Sequence, residues 1–279
     1  RPIRLSYAGH VLRVEGTQLR PERQLAQAGA ELIGSPAPAA DAEIVLLAVD
    51  ALAAAGLDGI SVDVHVPTLA PAAATALEVE PAARGPLIAA LDRKDAAEVR
   101  RLAGGAAGVF EALLRRAGPA EAALARLAAI DLPPPAAAER ARLEAVIGLL
   151  LQAAPGLALT VDPAEHHGFE YHSGVSFTLF STRTRAELGR GGRYLSEDGE
   201  PGTGVTLDVD AVMRASPALP PPRRVLVPAA APRDLARRLR EQGWVTVAAL
   251  DEAADLRAVA ARLGCTHLLL GEEVVAVDR

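Results

Sequence analysis

The sequence predicts an α+β fold: an antiparallel sheet core carrying a helical insertion, followed by a small C-terminal α/β unit. Three observations predict it. Segments of near-alternating polar and apolar residues lie before residue 66 and again over 157–209. The stretch between them, about 69–152, is rich in Ala and Leu and broken by Gly-Pro, Gly-Gly and a proline run at 133–135. Beyond a proline-rich linker at Pro217–Pro222 the pattern becomes strand, helix, strand, helix, strand. The expected division is therefore a core over 1–220 and a second unit over 221–279.

The elements follow in order. Leu5–Val14 and Arg23–Ile33 read as paired strands around the polar bend Glu15-Gly16-Thr17-Gln18. Ser35–Ala40 is a proline-containing loop. Asp41 then reads as a helix cap, with Ile44, Leu47 and Leu52 on one apolar face and Gly56 as the stop. Ile60–Val66 alternates like a buried strand that Pro67 ends. After the helices, Leu157–Val161, Gly174–Phe180, Ala186–Gly191 and Gly204–Val209 resume the sheet. The tail reads as strands at Arg224–Pro228, Val245–Leu250 and His267–Leu270, with helices at Pro232–Gln242 and Ala253–Leu263 between them.

Composition narrows the function. Of 279 residues 50% are hydrophobic and 23% charged, which supports a packed core and argues against disorder. The formal charge of −6 argues against nonspecific nucleic-acid binding, because that needs basic surface to neutralise phosphates. No apolar run reaches membrane-spanning length, so no membrane partner is expected. The single cysteine, Cys265, cannot form an internal disulfide, which fits a reducing, cytoplasmic setting. It sits in an apolar stretch and reads as a small core residue. The chain opens on Arg1 in a strand-like segment, and we read it as a fragment whose N-terminal part is missing.

The first strand pair carries the most specific pattern. Residues two apart in a strand share a face, so Arg13 projects with Glu15, and Gln27, Gly29 and Glu31 line one side. Alternating polar residues alone suit an ordinary solvated sheet face. A carboxylate, an amide and a glycine gap together suit a small zwitterion with a charged amino group. The segments Tyr7–Glu15 and Arg23–Glu31 resemble motif 2 of the class II aminoacyl-tRNA synthetases, and more closely the Arg-Gln-Phe-x-Gln-x-Gly-x-Glu version of the histidyl-tRNA synthetases. After the insertion, His167-Gly168-Phe169-Glu170-Tyr171-His172-Ser173-Gly174 resembles the Arg-Gly-Leu-Asp-Tyr-Tyr-x-Gly stretch of that family. Gly191-Gly192-Arg193-Tyr194 resembles its Gly-Gly-Arg-Tyr-Asp loop. The resemblance implies a class II synthetase-like fold and histidine-binding residues Gln27, Glu31, Tyr171, His172 and Tyr194. Arg13, Gly191 and Gly192 would make residual anion or ligand contacts.

Other polar residues read as structural. Glu165, His166, His167, Glu170 and His172 form a dense group, but adjacent histidines in an extended segment point to opposite faces and no cysteine joins them, so no metal site is expected. His65, between Val64 and Val66, reads as a core or rim histidine.

Departures from the synthetase pattern point away from catalysis. His167 stands where the family has an arginine between amino acid and ATP, and a neutral imidazole lacks that fixed charge and five-donor fork. The family's third motif, Gly-x-x-x-Gly-Leu-Glu-Arg-Leu, meets Gly204-Val205-Thr206-Leu207-Asp208-Val209-Asp210-Ala211-Val212, with Ala211 at the arginine and Asp208 at a glycine. Loss of charge at a developing anion removes the support that phosphoryl chemistry requires. A preserved amino-acid pocket beside lost ATP contacts resembles the regulatory subunits of short-form ATP phosphoribosyltransferase. That resemblance implies no catalytic residues and no cofactor, a homodimer within a hetero-oligomer, a short-form catalytic subunit as partner, and histidine as effector. The alternative is a divergent histidyl-tRNA synthetase, with Arg183, Arg185 or Arg190 supplying replacement charge; surface charge around a hairpin is the commoner role for such residues.

Overall fold

A computed structural model describes residues 2–14, 23–115, 117–166, 171–218, 220–252 and 255–277. The bend at 15–18, the segment His167-Gly168-Phe169-Glu170 and the expected helix start at Ala253 lie outside them. The chain divides into two compact units, Arg1–Pro217 and Ala218–Arg279.

The first unit is built on an eight-stranded sheet in the order β1-β2-β8-β7-β6-β3-β5-β4. Its strands are β1 (Ile3–Leu12), β2 (Gln24–Ile33), β3 (Ile60–His65), β4 (Gly118–Pro119), β5 (Ala158–Asp162), β6 (Ser176–Ser181), β7 (Glu187–Leu195) and β8 (Pro201–Asp208). The pairs are antiparallel except β3 with β5, which is parallel. A parallel pair needs a crossover, and the inserted helices supply it: α2 (Leu69–Ala76), α3 (Pro81–Asp92), α4 (Ala96–Ala103), α5 (Ala107–Leu114), α6 (Ala120–Ala128) and α7 (Pro134–Ala153) all lie between these strands. The sheet core is antiparallel as expected, with this one parallel pair where the insertion crosses over.

The helices start and stop where local chemistry dictates. The proline run places Pro133 just before α7 and prolines in its first turn, where a missing N–H costs nothing. Leu143, Val146, Ile147 and Leu150 then recur at helical spacing and are buried. Asp95 caps α4 by accepting from Glu98 N at 3.0 Å.

Helix α1 (Pro38–Ala54) departs from expectation. It starts at Pro38, three residues before Asp41, with proline at its first turn. Asp41 is inside the helix, is 1% exposed and faces two arginines, so it is an ion-pair partner and not the cap. Its inward face runs Ile44, Ala48, Leu52 at steps of four, which leaves Leu47 at 47% exposure on the outside.

The second unit is a four-stranded sheet in the order β10-β9-β11-β12, with β9 (Arg224–Val227), β10 (Val245–Ala248), β11 (His267–Leu270) and β12 (Glu273–Ala276). Between them stand α9 (Arg233–Glu241) and α10 (Leu256–Arg262). Its two hydrophobic clusters centre on Leu226 with Leu268, and on Val225 with Leu269. Cys265 is buried in the first of these. The final hairpin strand β12 follows a tight turn at Gly271 and is absent from the sequence-level reading.

Candidate functional site

Strand register lays the motif residues out in rows across one face of the large sheet. One row runs Tyr7, Gly29, Thr206, Arg190, Thr178, Asp63 and Thr160. The neighbouring row runs Leu5, Glu31, Gly204, Gly192, Ser176, His65 and Asp162. The second row has a trough at its centre, because Gly204 and Gly192 bring no side chains.

Long side chains fall into the gaps. Glu31 reaches from β2 over Gly204, where an added Cβ would collide with its carboxylate. Tyr194 reaches from β7 over Gly202, and its hydroxyl donates to Glu31 Oε2 at 2.8 Å. Tyr7 lies over Gly29, with its hydroxyl 2.5 Å from Thr206 Oγ1. The result is a cavity of about 220 Å³ walled by Glu31, Tyr171, Arg190, Gly192, Tyr194 and Thr206. That is below the range of about 300–1,000 Å³ usual for drug-sized ligands, and it suits a small metabolite. A second cavity of about 210 Å³ shares Tyr171, Arg190 and Thr206 and is completed by Arg13, Gln27 and Asp208.

Electrostatics favour a cationic group against Glu31. Partial burial raises its carboxyl above the ordinary carboxylate value, and the Tyr194 hydroxyl partly offsets this. Burial and the neighbouring Glu31 charge push the Tyr194 phenol up in turn. A ligand ammonium or imidazolium would relieve the desolvated carboxylate. Arg190 forms a two-pronged pair with Glu187, Nε to Oε1 and Nη2 to Oε2 each at 2.9 Å, on the rim of both cavities.

The residues singled out from sequence are distributed as follows. Glu31, Tyr171, Gly191, Gly192 and Tyr194 line the first cavity, while Arg13 and Gln27 line the second. His172 lines neither. It is buried, its ring tilted against that of Tyr171 with 4.0 Å between ring centres, and it packs over Gly192. The Gly-Gly-Arg-Tyr segment, expected as a loop, lies in the second half of strand β7, so Gly192 and Tyr194 face the cavity while Arg193 faces α1. Among the replacement-charge candidates, Arg183 pairs with Asp58 at 3.4 Å on the surface and Arg185 is exposed in the turn, leaving Arg190 as the one that reaches the cavities. Asp208 caps α8 (Val209–Ala215) by accepting from Ala211 N at 3.1 Å, and Ala211 is 2% exposed.

Other histidines are structural. His166 is tied by its backbone N–H to Asp92 Oδ1 at 2.6 Å and lies with Nδ1 3.1 Å from Pro67 O. His65 is 6% exposed on the wall of a third, acidic cavity with Asp63 and Asp162. Burial pushes its imidazole down, against the opposing pull of Asp162 and Asp63. A larger apolar groove of about 620 Å³ lies between α1 and α7, lined by Leu46, Leu47 and Leu149, on the helical side of the sheet. Tyr7, Thr206 and Asp41 were not legible as site or anchor residues; for Tyr7 the available signal was its register partner Gly29.

A family model of histidyl-tRNA synthetase matches residues 1–212. The chain is 53% identical over 278 residues to the ATP phosphoribosyltransferase regulatory subunit of Paramagnetospirillum magneticum, covering 100% of this chain and 73% of that protein. An ATP phosphoribosyltransferase regulatory subunit/histidyl-tRNA synthetase from Bacillus halodurans shares the fold with a TM-score of 0.77 at 23% identity, over 94% of this chain and 72% of that one. An ATP phosphoribosyl transferase (HisG:HisZ) complex from Thermotoga maritima contains the fold with a TM-score of 0.60 at 18% identity, over 75% of this chain and 74% of that one. Half-identity along the full chain, together with the histidyl-tRNA synthetase family model over residues 1–212, places the chain in the family of ATP phosphoribosyltransferase regulatory subunits.

Proposed function

We propose that the protein is the non-catalytic partner of a short-form ATP phosphoribosyltransferase catalytic subunit. In the first step of histidine biosynthesis it would support that subunit's synthesis of phosphoribosyl-ATP and carry feedback inhibition by histidine. The observation that carries this reading is a contrast between the sheet face and helix α8, which follows β8. The Glu31–Tyr194 pair is in place over its glycine trough. At the position that the sequence resemblance aligns with the phosphate-gripping arginine of the synthetases, α8 carries the buried methyl of Ala211, beside the capping carboxylate of Asp208.

A buried alanine beside a carboxylate brings no positive charge to that position, and loss of a buried charged partner costs about 2–5 kcal/mol. The cavity, in contrast, offers a carboxylate to a ligand ammonium or imidazole, a phenol beside it and the Arg190 guanidinium at the rim for a ligand carboxylate. Histidine has all three complementary groups. In this reading it binds here, within a homodimer that is part of a hetero-oligomer in the cytoplasm.

The test is phosphoribosyl-ATP formation by a matched short-form catalytic subunit, with and without this protein. Activity that rises on mixing and falls with histidine supports the reading; no change on mixing overturns it. The second reading, a divergent histidyl-tRNA synthetase, draws on Arg190 at the cavity rim. Histidine-dependent exchange of pyrophosphate with ATP would establish it. Its absence, together with histidine binding, leaves the regulatory reading standing.

A further inference from the structure

Behind the cavity, on the opposite face of the sheet, two arginines converge on one carboxylate. Arg193 is 4% exposed and Asp41 1% exposed, far below what their charges tolerate without partners. Arg193 Nη2 lies 2.8 Å from Asp41 Oδ1, and its Nε donates to Oδ2 at 3.1 Å. Arg142, from α7, donates through Nη2 to the same Oδ2 at 3.0 Å. The remaining donors grip the turn between β2 and α1: Arg193 bonds Ser35 O at 2.9 Å and Ala37 O at 3.2 Å, and Arg142 bonds Pro36 O at 2.7 Å.

The placement of this node relative to the cavity gives it a second role. Arg193 is the residue between Gly192 and Tyr194, so the strand that presents Tyr194 to the cavity is anchored through its other face. The gripped turn begins directly after β2, the strand that presents Glu31. The Glu31–Tyr194 bond spans β8 and requires β2 and β7 to hold their positions on either side of it. Arg193 and Asp41 fix both strands to one point, and Arg142 makes that point part of the helical insertion.

We infer that the Arg193–Asp41–Arg142 node positions the ligand cavity and couples its occupancy to helix α7. The inference rests on the reading that histidine occupies that cavity. In this inference a ligand that enters between Glu31 and Tyr194 displaces those side chains and, through them, strains the strands β2 and β7 that carry them. A buried ion triad resists small distortions until a contact changes partner, so the displacement is passed to α7 through Arg142 instead of being absorbed. Coupling requires that the ligand bind the two arrangements unequally, and such couplings are typically about 5- to 150-fold in affinity. Arg142, about one-quarter exposed, is the member that can be removed while Arg193 keeps its carboxylate.

The experiment compares the wild-type protein with Arg142→Met and Arg193→Lys. Histidine affinity is measured by calorimetry, and amide hydrogen exchange over 134–153 is measured with and without saturating histidine. The wild type should show a ligand-dependent change in α7 protection. Arg142→Met should bind histidine within about threefold of wild type yet lose that change, which a merely structural role would not produce. Arg193→Lys keeps the charge but not the fork, and should weaken histidine binding about tenfold or more. Binding by the wild type with no change in α7, or an undiminished change in Arg142→Met, overturns the inference while leaving the cavity assignment intact. No histidine binding by the wild type overturns the cavity assignment and this inference together.

Discussion

The hydroxyl of Tyr194 donates to Glu31 Oε2 at 2.8 Å, although the two residues start on strands separated by β8. They meet because β8 has glycine at both crossing points: Gly204 lies under the Glu31 carboxylate and Gly202 under the Tyr194 ring. The glycines are therefore part of the site's geometry, and their surroundings separate effects on binding from effects on folding.

Substitution at Gly204 and Gly191 should give opposite phenotypes. A Cβ at Gly204 meets the mobile end of Glu31, so Gly204→Ala should fold with little loss of stability while displacing the carboxylate and weakening histidine at least tenfold. A Cβ at Gly191 meets the Gly204 carbonyl, the Phe177 ring and the Val205 backbone, which cannot swing aside. Gly191→Ala should cost about 1–3 kcal/mol, the usual range for overpacking. Thermal melts and calorimetry with histidine decide both cases, and equal destabilisation of the two would contradict this account.

The raised carboxyl of Glu31 sets a pH dependence with a definite sign. Its folded form holds a proton to higher pH than the unfolded form, so this group favours folding at low pH and loses that contribution as pH rises through the folded pKa. Ligand binding runs the other way, because a cationic ligand group needs the ionised carboxylate. Histidine affinity should therefore fall on acidification, beginning above the ordinary glutamate value of about 4.3. Glu31→Gln should remove this limb, leaving the titration of histidine itself. A Glu31→Gln profile identical to wild type would place the ligand elsewhere.

The legible parts of this chain are those with local chemistry. Strand alternation disclosed β2, and the proline run marked a break in the helical insertion, where α7 starts. Asp41 was misread because a carboxylate near a helix start usually caps it, and its true partners lie 101 and 152 residues away. The same non-locality hid the strand character of Gly191–Tyr194, since a paired β8 and not local propensity makes it a strand. The parallel β3–β5 pair was hidden behind the whole insertion that separates its strands.

His65 should add an acid-labile component to stability. Burial depresses its folded pKa, so the unfolded state takes up a proton first as pH falls below about 6.5. Stability from this group is present above that pH and declines on acidification until the folded imidazole itself protonates. Chemical denaturation of the wild type between pH 7.5 and about 5 should show the decline, and His65→Gln should flatten it. A wild-type slope retained in the variant would assign the effect to other groups.

Asp208 tests whether the third-motif region now serves the fold. Its carboxylate accepts from Ala211 N at 3.1 Å and faces the N-terminal turn of α8, where a negative charge is also favourable. Asp208→Ala should cost about 1 kcal/mol, while Asp208→Asn, an equally good cap, should stay within about 0.5 kcal/mol of wild type. Ala211→Arg restores the family's charge in sequence but puts a guanidinium into a site that is 2% exposed. Without a partner that charge is expelled or destabilises the packing. The variant should melt earlier and still fail to exchange pyrophosphate with ATP in the presence of histidine. Recovered exchange would mean that the ATP half of the site is intact and lacks one residue; its continued absence, with Asp208→Asn stable, means the motif has been rebuilt as a helix cap.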